Sequence, residues 1–222
     1  MPLSYILTII ARIFRFPSTL ANLVGNKKKE LSTLNESCNR IEVFTNWQAD
    51  IFLANGFTKE KIKLTTQLMG KKVAPYLISD KKEIRTIGFI GRLTYEKGLH
   101  ILIHAFKNLQ NKKLQLKIAG IRNKSNEIYL DSLLEISKGN PNISWEFDLN
   151  NNQVKEFYTK VDLICIPSIS YETGPFVLYE AFENKLPVIA NDLGDMRVWK
   201  DKGFPIYLYK KPEELIELLK KI

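Results

Sequence analysis

The stretch DLICIPSISYETGPFVLYEAF, residues 162–182, carries the pattern that decides the fold. After Asp162 it continues with a short run of apolar residues, which is typical of a strand buried on both faces of a parallel sheet. The run ends in a polar loop, and Gly174 and Pro175 then favour a turn into a helix, because proline suits the first helical position. Glu172 falls in the loop, and Glu180 falls more than a turn inside the helix. A strand that leads through a polar loop into a helix is the repeating unit of a parallel α/β sheet.

The same alternation continues on both sides of this stretch. We predict strands at 84–90, 114–119, 142–147, 162–166, 187–190 and 206–209, and helices at 97–110, 126–138, 151–160, 175–184, 192–199 and 211–221. Short apolar strands separated by amphipathic helices predict an α/β fold, a Rossmann-like, doubly wound parallel sheet with helices on both faces. Ligands of such sheets bind outside the carboxyl ends of the strands, so the chemistry is expected in the loops that follow them.

The loop after the first of these strands carries two cations. Gly91 is expected to let the backbone turn as it leaves the sheet, and Arg92 and Lys97 flank the connection to the next helix. The N-terminus of that helix supplies N–H groups and the positive end of a dipole, so two cations beside it suit a diphosphate. The alternative is that both are ordinary surface cations. The loop matches neither the dinucleotide pattern G-x-G-x-x-G nor a phosphate-binding P-loop.

The two glutamates of the opening stretch predict recognition of a ligand rich in hydroxyl groups. Glu172 and Glu180 flank the start of a helix at the carboxyl end of a predicted strand. A carboxylate accepts more than one hydroxyl hydrogen bond, and the helix N-terminus between the two can hold a phosphate. The alternative is a capping acid in the loop and a solvated acid on the helix.

The N-terminal part of the chain follows a different pattern. Apolar residues at helical spacing predict a helix over 3–16, which rests on the core, on a membrane or on a partner domain, and a second helix over 18–37. A short strand is expected at 41–44. Thr45 then caps a helix that ends near the Asn-Gly pair at 55–56, a typical C-terminal signal.

The charge and the reactive side chains exclude several classes of function. The formal net charge is +9, which favours anionic partners, but the lysines are dispersed and no basic stripe predicts nucleic-acid binding. A solvated lysine-rich surface is preferred over a membrane-facing one. The two cysteines form neither a disulfide framework nor a metal site, so we expect a cytoplasmic protein, with peripheral contact at the inner face of the membrane as an extension. His100 and His104 are four residues apart, but no third ligand is evident and no metal is expected.

Several segments together resemble one enzyme family. The separation of Glu172 and Glu180 is that of an E-x7-E motif. Further segments agree with the family in order and separation: Gly91-Arg92-Leu93 with Lys97-Gly98, Ile118-Ala119-Gly120, the run from Tyr158 to Ser168, and residues 186–196. Over about residues 41–215 the chain resembles glycosyltransferase family 4, whose members are retaining, nucleotide-sugar-dependent enzymes with the GT-B fold.

The resemblance implies a role for each matching residue. Arg92 and Lys97 would bind the donor diphosphate and stabilise the negative charge of the leaving nucleotide, a charge that grows in the transition state. Glu180 would accept hydrogen bonds from the ribose, and Glu172 would face the transferred sugar. The implied catalytic residues are therefore Glu172, Arg92 and Lys97. The implied donor-binding set adds Gly91, Leu149, Gly174, Phe176, Val177 and Glu180, with Leu149 beside the base. Family members need no metal ion or other cofactor, because the cations take that role.

The chain departs from the family at two places. At residues 173–175 Thr-Gly-Pro replaces the usual Gly-Phe-Gly, and Pro175 supplies no N–H for a phosphate. The residues before the junction are also too few for the acceptor-binding domain of a whole enzyme, so the chain resembles a truncated or split one. We interpret 1–66 as a mostly helical remnant of that domain, 67–82 as a linker and 83–222 as the nucleotide-sugar-binding domain.

The expected activity is transfer of a sugar from a nucleotide-diphosphate sugar to a glycan or lipid-linked acceptor, with retention of the anomeric configuration. Polysaccharide or cell-surface glycan biosynthesis is the expected setting. The alternative is a non-catalytic nucleotide-sugar-binding fragment or subunit that needs a separate N-terminal half as its partner. An unrelated NAD-dependent enzyme is disfavoured, because no G-x-G-x-x-G follows the first strand of the domain.

Overall fold

A computed structural model of the chain describes residues 18–65, 74–77, 83–109, 113–172 and 174–221. The helix predicted at 3–16 lies outside these residues, as does the predicted linker 67–82 except for residues 74–77. The chain divides into two compact units, Met1–Gln67 and Leu68–Ile222.

The described part of the second unit is built on one parallel sheet of six strands. The strands are β3 (Thr86–Arg92), β4 (Gln115–Ile121), β5 (Ile143–Phe147), β6 (Leu163–Ile166), β7 (Val188–Asn191) and β8 (Ile206–Tyr209). Its helices are α3 (Leu99–Lys107), α4 (Glu127–Ser137), α5 (Asn151–Thr159), α6 (Phe176–Glu183), α7 (Met196–Asp201) and α8 (Pro212–Lys220). The strand order is β5-β4-β3-β6-β7-β8, and every neighbouring pair is parallel. The predicted fold class is confirmed.

The core lies on both faces of this sheet. In β6 all four residues are buried, because alternate side chains point to opposite faces and both faces are covered. Leu163 and Cys165 join one cluster of buried residues with α3, α4 and α8. Ile164 and Ile166 join the other with α5, α6 and α7. Burial from two sides therefore explains the uninterrupted apolar run of β6.

The direction of the chain across the sheet reverses between two adjacent strands. From β3 the chain proceeds outward to β4 and β5, and then returns to β6, which pairs with β3 on its other side through Ile87 and Leu163. The loops after β3 and β6 consequently leave toward opposite faces of the sheet. The crevice between them is where open α/β sheets bind ligands.

The described part of the first unit contains α1 (Ser18–Ser37), β1 (Ile41–Val43), α2 (Asn46–Ala54) and β2 (Ile62–Leu64). β1 and β2 form a two-stranded parallel sheet. As predicted, Thr45 is the N-cap of α2, and its side chain accepts a hydrogen bond from the backbone N–H of Gln48.

One helix begins later than predicted. The sequence favoured a helix over 192–199, whereas α7 spans Met196–Asp201. Gly194 adopts the left-handed conformation, with φ of 60°, and Asp192 N–H donates to the carbonyl oxygen of Tyr209. Both features belong to a loop, so the helix cannot begin before them.

Candidate functional site

The first strand of the predicted site is longer than expected. Gly91 and Arg92 are paired with Gly120 and Ile121 as part of the β3–β4 ladder, and Leu93 N–H continues it by donating to Ile121 O. The prediction that Gly91 turns the chain out of the sheet is therefore wrong. Its φ of 156° is nevertheless unusual for a residue with a side chain. The exit from the sheet follows Arg92.

The loops after β3 and β6 approach each other closely. Ile169 N–H donates to the carbonyl oxygen of Glu96 at 2.9 Å. Gly98 has φ of 67°, and a β-carbon placed on it would lie 2.0 Å from the carbonyl oxygen of Pro167. Only glycine combines this conformation with so close an approach. The contact holds together the two loops that the sequence predicted to carry the site.

Lys97 and Glu172 form an ion pair between these loops. Lys97 Nζ donates to Glu172 Oε1 at 2.7 Å, and the hydroxyl of Ser168 donates to the same oxygen. The two charged side chains are only 20% and 13% exposed. Asn191 Nδ2, at the end of β7, donates to Ser168 O at 3.0 Å and fixes the loop from the other side. The structure thus brings together the lysine and the loop glutamate that were predicted separately.

Glu180 is held by a buried tyrosine. Tyr158, on α5, is 3% exposed and donates its hydroxyl hydrogen bond to Glu180 Oε2 at 2.6 Å. Burial raises the pKa of the Tyr158 hydroxyl well above its ordinary value, and the charge of Glu180 raises it further. The phenol therefore stays protonated and acts as a donor to the carboxylate.

The N-terminus of α6 lies between the two glutamates in sequence. Pro175 was predicted as the first helical residue but is the N-cap, so the helix begins one residue later, at Phe176, and no side chain caps it. Gly174 has φ of 93°. The first N–H groups of a helix have no partner within it, so those of Phe176 and Val177 suit an anion. The side chain of Phe176 is exposed and that of Val177 half-buried.

Arg92 and Leu149 lie on other parts of the same carboxyl edge. Arg92 is mostly exposed, with Nη2 3.9 Å from Glu96 Oε1. Leu149 follows β5 and packs partly buried against the second core cluster. Its neighbour Asp148 accepts hydrogen bonds from the backbone N–H and the guanidinium of Arg122, which lower the pKa of Asp148. Their roles toward a ligand stay predictions.

His100 packs against aromatic rings. Its ring is stacked on Tyr95 at 4.6 Å between centroids, and its Nδ1 lies 2.8 Å from the hydroxyl oxygen of Tyr129. His104 is exposed on the same helix. Within the described ranges, no three His, Cys, Asp or Glu side chains gather as they would around a metal ion.

Sequence reasoning missed the residues that support the two glutamates. Tyr158 and Ser168 were both part of the matched run, but their side chains received no role, and Asn191 received none. The contacts of Tyr158 and Asn191 join different elements, 22 and 23 positions apart, and that of Ser168 depends on how the loop after β6 folds. Such contacts become visible only when the fold is known.

The fold and the site define a Rossmann-like domain whose crevice, at the reversal of strand order, carries a lysine and a glutamate in contact. The sequence matches the model of the glycosyl transferases group 1 over residues 76–222, more than half of the chain. The chain belongs to this family.

Two curated relatives are also similar in sequence. An uncharacterized glycosyltransferase of Methanocaldococcus jannaschii is 28% identical over 196 residues, covering 86% of this chain and 46% of that protein. The amylovoran biosynthesis glycosyltransferase AmsD of Erwinia amylovora is 31% identical over 128 residues, covering 57% of this chain and 35% of that protein. The chain thus spans less than half the length of either relative.

Among solved structures, Anabaena HepE in complex with UDP superposes with a TM-score of 0.71 at 16% identity, covering 98% of this chain and 65% of that one. At this identity the likeness concerns the fold. No helix among the described residues combines the length and the hydrophobicity needed to cross a bilayer.

Proposed function

We propose that this chain carries the donor site of a retaining, family 4 glycosyltransferase that uses a nucleotide-diphosphate sugar. The contact between Lys97 and Glu172 at the crevice between β3 and β6 carries the proposal. It puts a cation for phosphate and a carboxylate for sugar hydroxyls side by side, next to the loop that leads into α6. The solved HepE structures contain UDP, UDP-glucose, or UDP and glucose, which supports a donor of this class for the present chain.

In this reaction the bond between the sugar and the diphosphate breaks, and negative charge accumulates on the departing nucleotide. Arg92, Lys97 and the N–H groups at the start of α6 stabilise that charge, so the mechanism needs no metal ion. Glu180 accepts hydrogen bonds from the ribose hydroxyls, Glu172 faces the transferred sugar, and Leu149 lies beside the base. The acceptor is a glycan or a lipid-linked saccharide, and the product keeps the anomeric configuration of the donor.

A second candidate function is nucleotide-sugar binding without transfer, with a separate polypeptide as the acceptor-side half. All residues of the proposed donor site lie in the second unit, Leu68–Ile222, so donor binding does not depend on an acceptor side.

We propose a cytoplasmic location, with the net charge of +9 favouring peripheral contact with an anionic membrane.

Calorimetric titration with UDP, GDP and ADP tests the donor site. We expect one of them to bind, and we expect Arg92→Ala and Glu180→Ala to weaken that binding. Two matched controls carry the same charges as the site residues but lie away from the site. Arg85 lies just before β3, at the opposite end of that strand, and Glu183 is exposed at the end of α6.

Unchanged binding in Arg85→Ala and Glu183→Ala, beside a loss in the two site variants, would support the assignment. No binding of any diphosphate by the wild-type chain would overturn it. If binding occurs, incubation with the matching nucleotide-sugars and a glycan acceptor separates a transferase from the binding-only alternative.

A further inference from the structure

The hydrogen bond between Tyr158 and Glu180 connects the buried core to a predicted ligand-binding carboxylate. Tyr158 belongs to the buried cluster on the α5–α6–α7 face of the sheet, so its ring has a fixed position. Its hydroxyl donates to Glu180 Oε2 at 2.6 Å. A short bond from a hydroxyl to a charged carboxylate is stronger than one between neutral groups. The core of the domain therefore anchors one oxygen of a half-buried glutamate.

The hydrogen bond from Tyr158 restricts the orientation of the Glu180 carboxylate. A glutamate on a helix otherwise samples several rotamers, and a ligand that needs one of them must restrict this freedom when it binds. Each carboxylate oxygen has two lone pairs, so Glu180 can accept from Tyr158 and still accept from ligand hydroxyls. The hydroxyl of Tyr158 thus orients Glu180 for ligand binding and does not compete with the ligand hydroxyls for its lone pairs.

The anchor also connects two parts of the predicted donor site. Tyr158 is near the end of α5, whose start is fixed by a capping box between Asn150 and Gln153. Leu149, predicted to lie beside the base, comes directly before that cap. Through Tyr158, Glu180 therefore contacts the helix that begins just after Leu149.

We propose that Tyr158 is a positioning residue, whose hydroxyl holds the carboxylate of Glu180 in the orientation that recognises the two adjacent hydroxyls of a ribose. This inference rests on the proposed function, because it presumes a ribonucleotide ligand. It has a specific consequence: the contribution of Tyr158 to binding affinity should depend on the presence of the ribose hydroxyls in the ligand.

The test compares Tyr158→Phe with the wild-type chain by calorimetry, using UDP, GDP and ADP together with their 2′,3′-dideoxy forms. For the diphosphate that binds, we expect Tyr158→Phe to weaken affinity about tenfold, the scale of one hydrogen bond to a charged group. For the dideoxy form, we expect the two proteins to bind alike. In a Glu180→Gln background, Tyr158→Phe should have little further effect, since the variants act through one contact.

Tyr209→Phe is the matched control. Tyr209 is also a buried tyrosine, 2% exposed, but its hydroxyl has no hydrogen-bond partner among the described residues. We expect removal of the Tyr209 hydroxyl to leave the affinity for the diphosphate unchanged. Equal weakening of the ribonucleotide and the dideoxynucleotide by Tyr158→Phe would overturn the inference and leave the proposed function standing. If the wild-type chain bound none of the diphosphates, both would be overturned.

Discussion

Replacing Gly98 by alanine tests the contact that joins the two loops of the candidate site. A β-carbon on Gly98 would lie 2.0 Å from the carbonyl oxygen and 2.8 Å from the carbonyl carbon of Pro167. Both are backbone atoms, so no side-chain rotation relieves the overlap. Because real β-carbons essentially never lie closer than 3.0 Å to a non-bonded heavy atom, the loop after β6 must move by about 1 Å.

The cost has three parts. Alanine in the left-handed conformation costs roughly 1–2 kcal/mol. Displacement of the loop weakens the hydrogen bond from Ile169 to Glu96, whose loss costs about 1 kcal/mol. Overpacking against backbone adds roughly 1–3 kcal/mol. The unfolding free energy of Gly98→Ala should therefore fall by at least about 3 kcal/mol.

Gly139 provides the control. Its φ of 75° is close to that of Gly98, but an added β-carbon would meet nothing within 4 Å. The unfolding free energy of Gly139→Ala should fall only by the cost of the left-handed conformation, roughly 1–2 kcal/mol. Urea unfolding measures both variants. In a thermal scan the difference of about 2 kcal/mol corresponds to roughly 4–8 °C, since each 1 kcal/mol shifts Tm by about 2–4 °C in a domain of this size. Equal destabilisation of the two variants would show that the close approach of Pro167 to Gly98 does not contribute to stability.

Three further predictions concern charged and reactive groups. Glu172→Gln should tighten calorimetric binding of a free nucleoside diphosphate about tenfold, because it removes the negative charge paired with Lys97 and relieves a like-charge repulsion of roughly 1–3 kcal/mol; weaker binding would contradict this. Burial raises the pKa of the Cys165 thiol, so a disulfide reagent should modify only Cys38 rapidly in the native protein, and two fast thiols would contradict the fold. Burial, and secondarily the charge of His104, lowers the pKa of His100, so by NMR its ring should titrate below 6.5 and His104→Gln should raise the midpoint; a midpoint at or above 6.5 would count against this packing.

The regular elements of the second unit could be predicted because each depends on local patterning. The predicted strand 162–166 and helix 175–184 correspond to β6, Leu163–Ile166, and α6, Phe176–Glu183. A short β-branched run buried on both faces and an amphipathic stretch after a proline are signals that a single segment carries. In the first unit the predicted helix 18–37 also matches α1, Ser18–Ser37.

The errors arose where a partner strand or a backbone conformation decides the outcome. Gly91 was expected to end a strand, but its pairing with Gly120 continues the ladder. That pairing depends on a strand distant in sequence. Gly194 delays α7 by adopting a left-handed conformation that glycine permits but does not require. Local sequence does not determine either choice.

The site was predictable as a set of residues but not as an arrangement. Lys97 and Glu172 are 75 positions apart, and each was predicted for its own reasons. Their contact requires β3 beside β6, a register in which Ile87 faces Leu163, and a glycine at 98 that lets the two loops meet. None of these conditions can be inferred from one motif.

Every residue of the proposed donor site belongs to the second unit, Leu68–Ile222. The supporting contacts of Ser168, Asn191 and Tyr158 belong to it as well. The proposed donor site is thus built entirely on one sheet. Nucleotide titration therefore tests donor binding independently of transfer, and a chain that binds the diphosphate without transferring sugar would support the binding-only alternative.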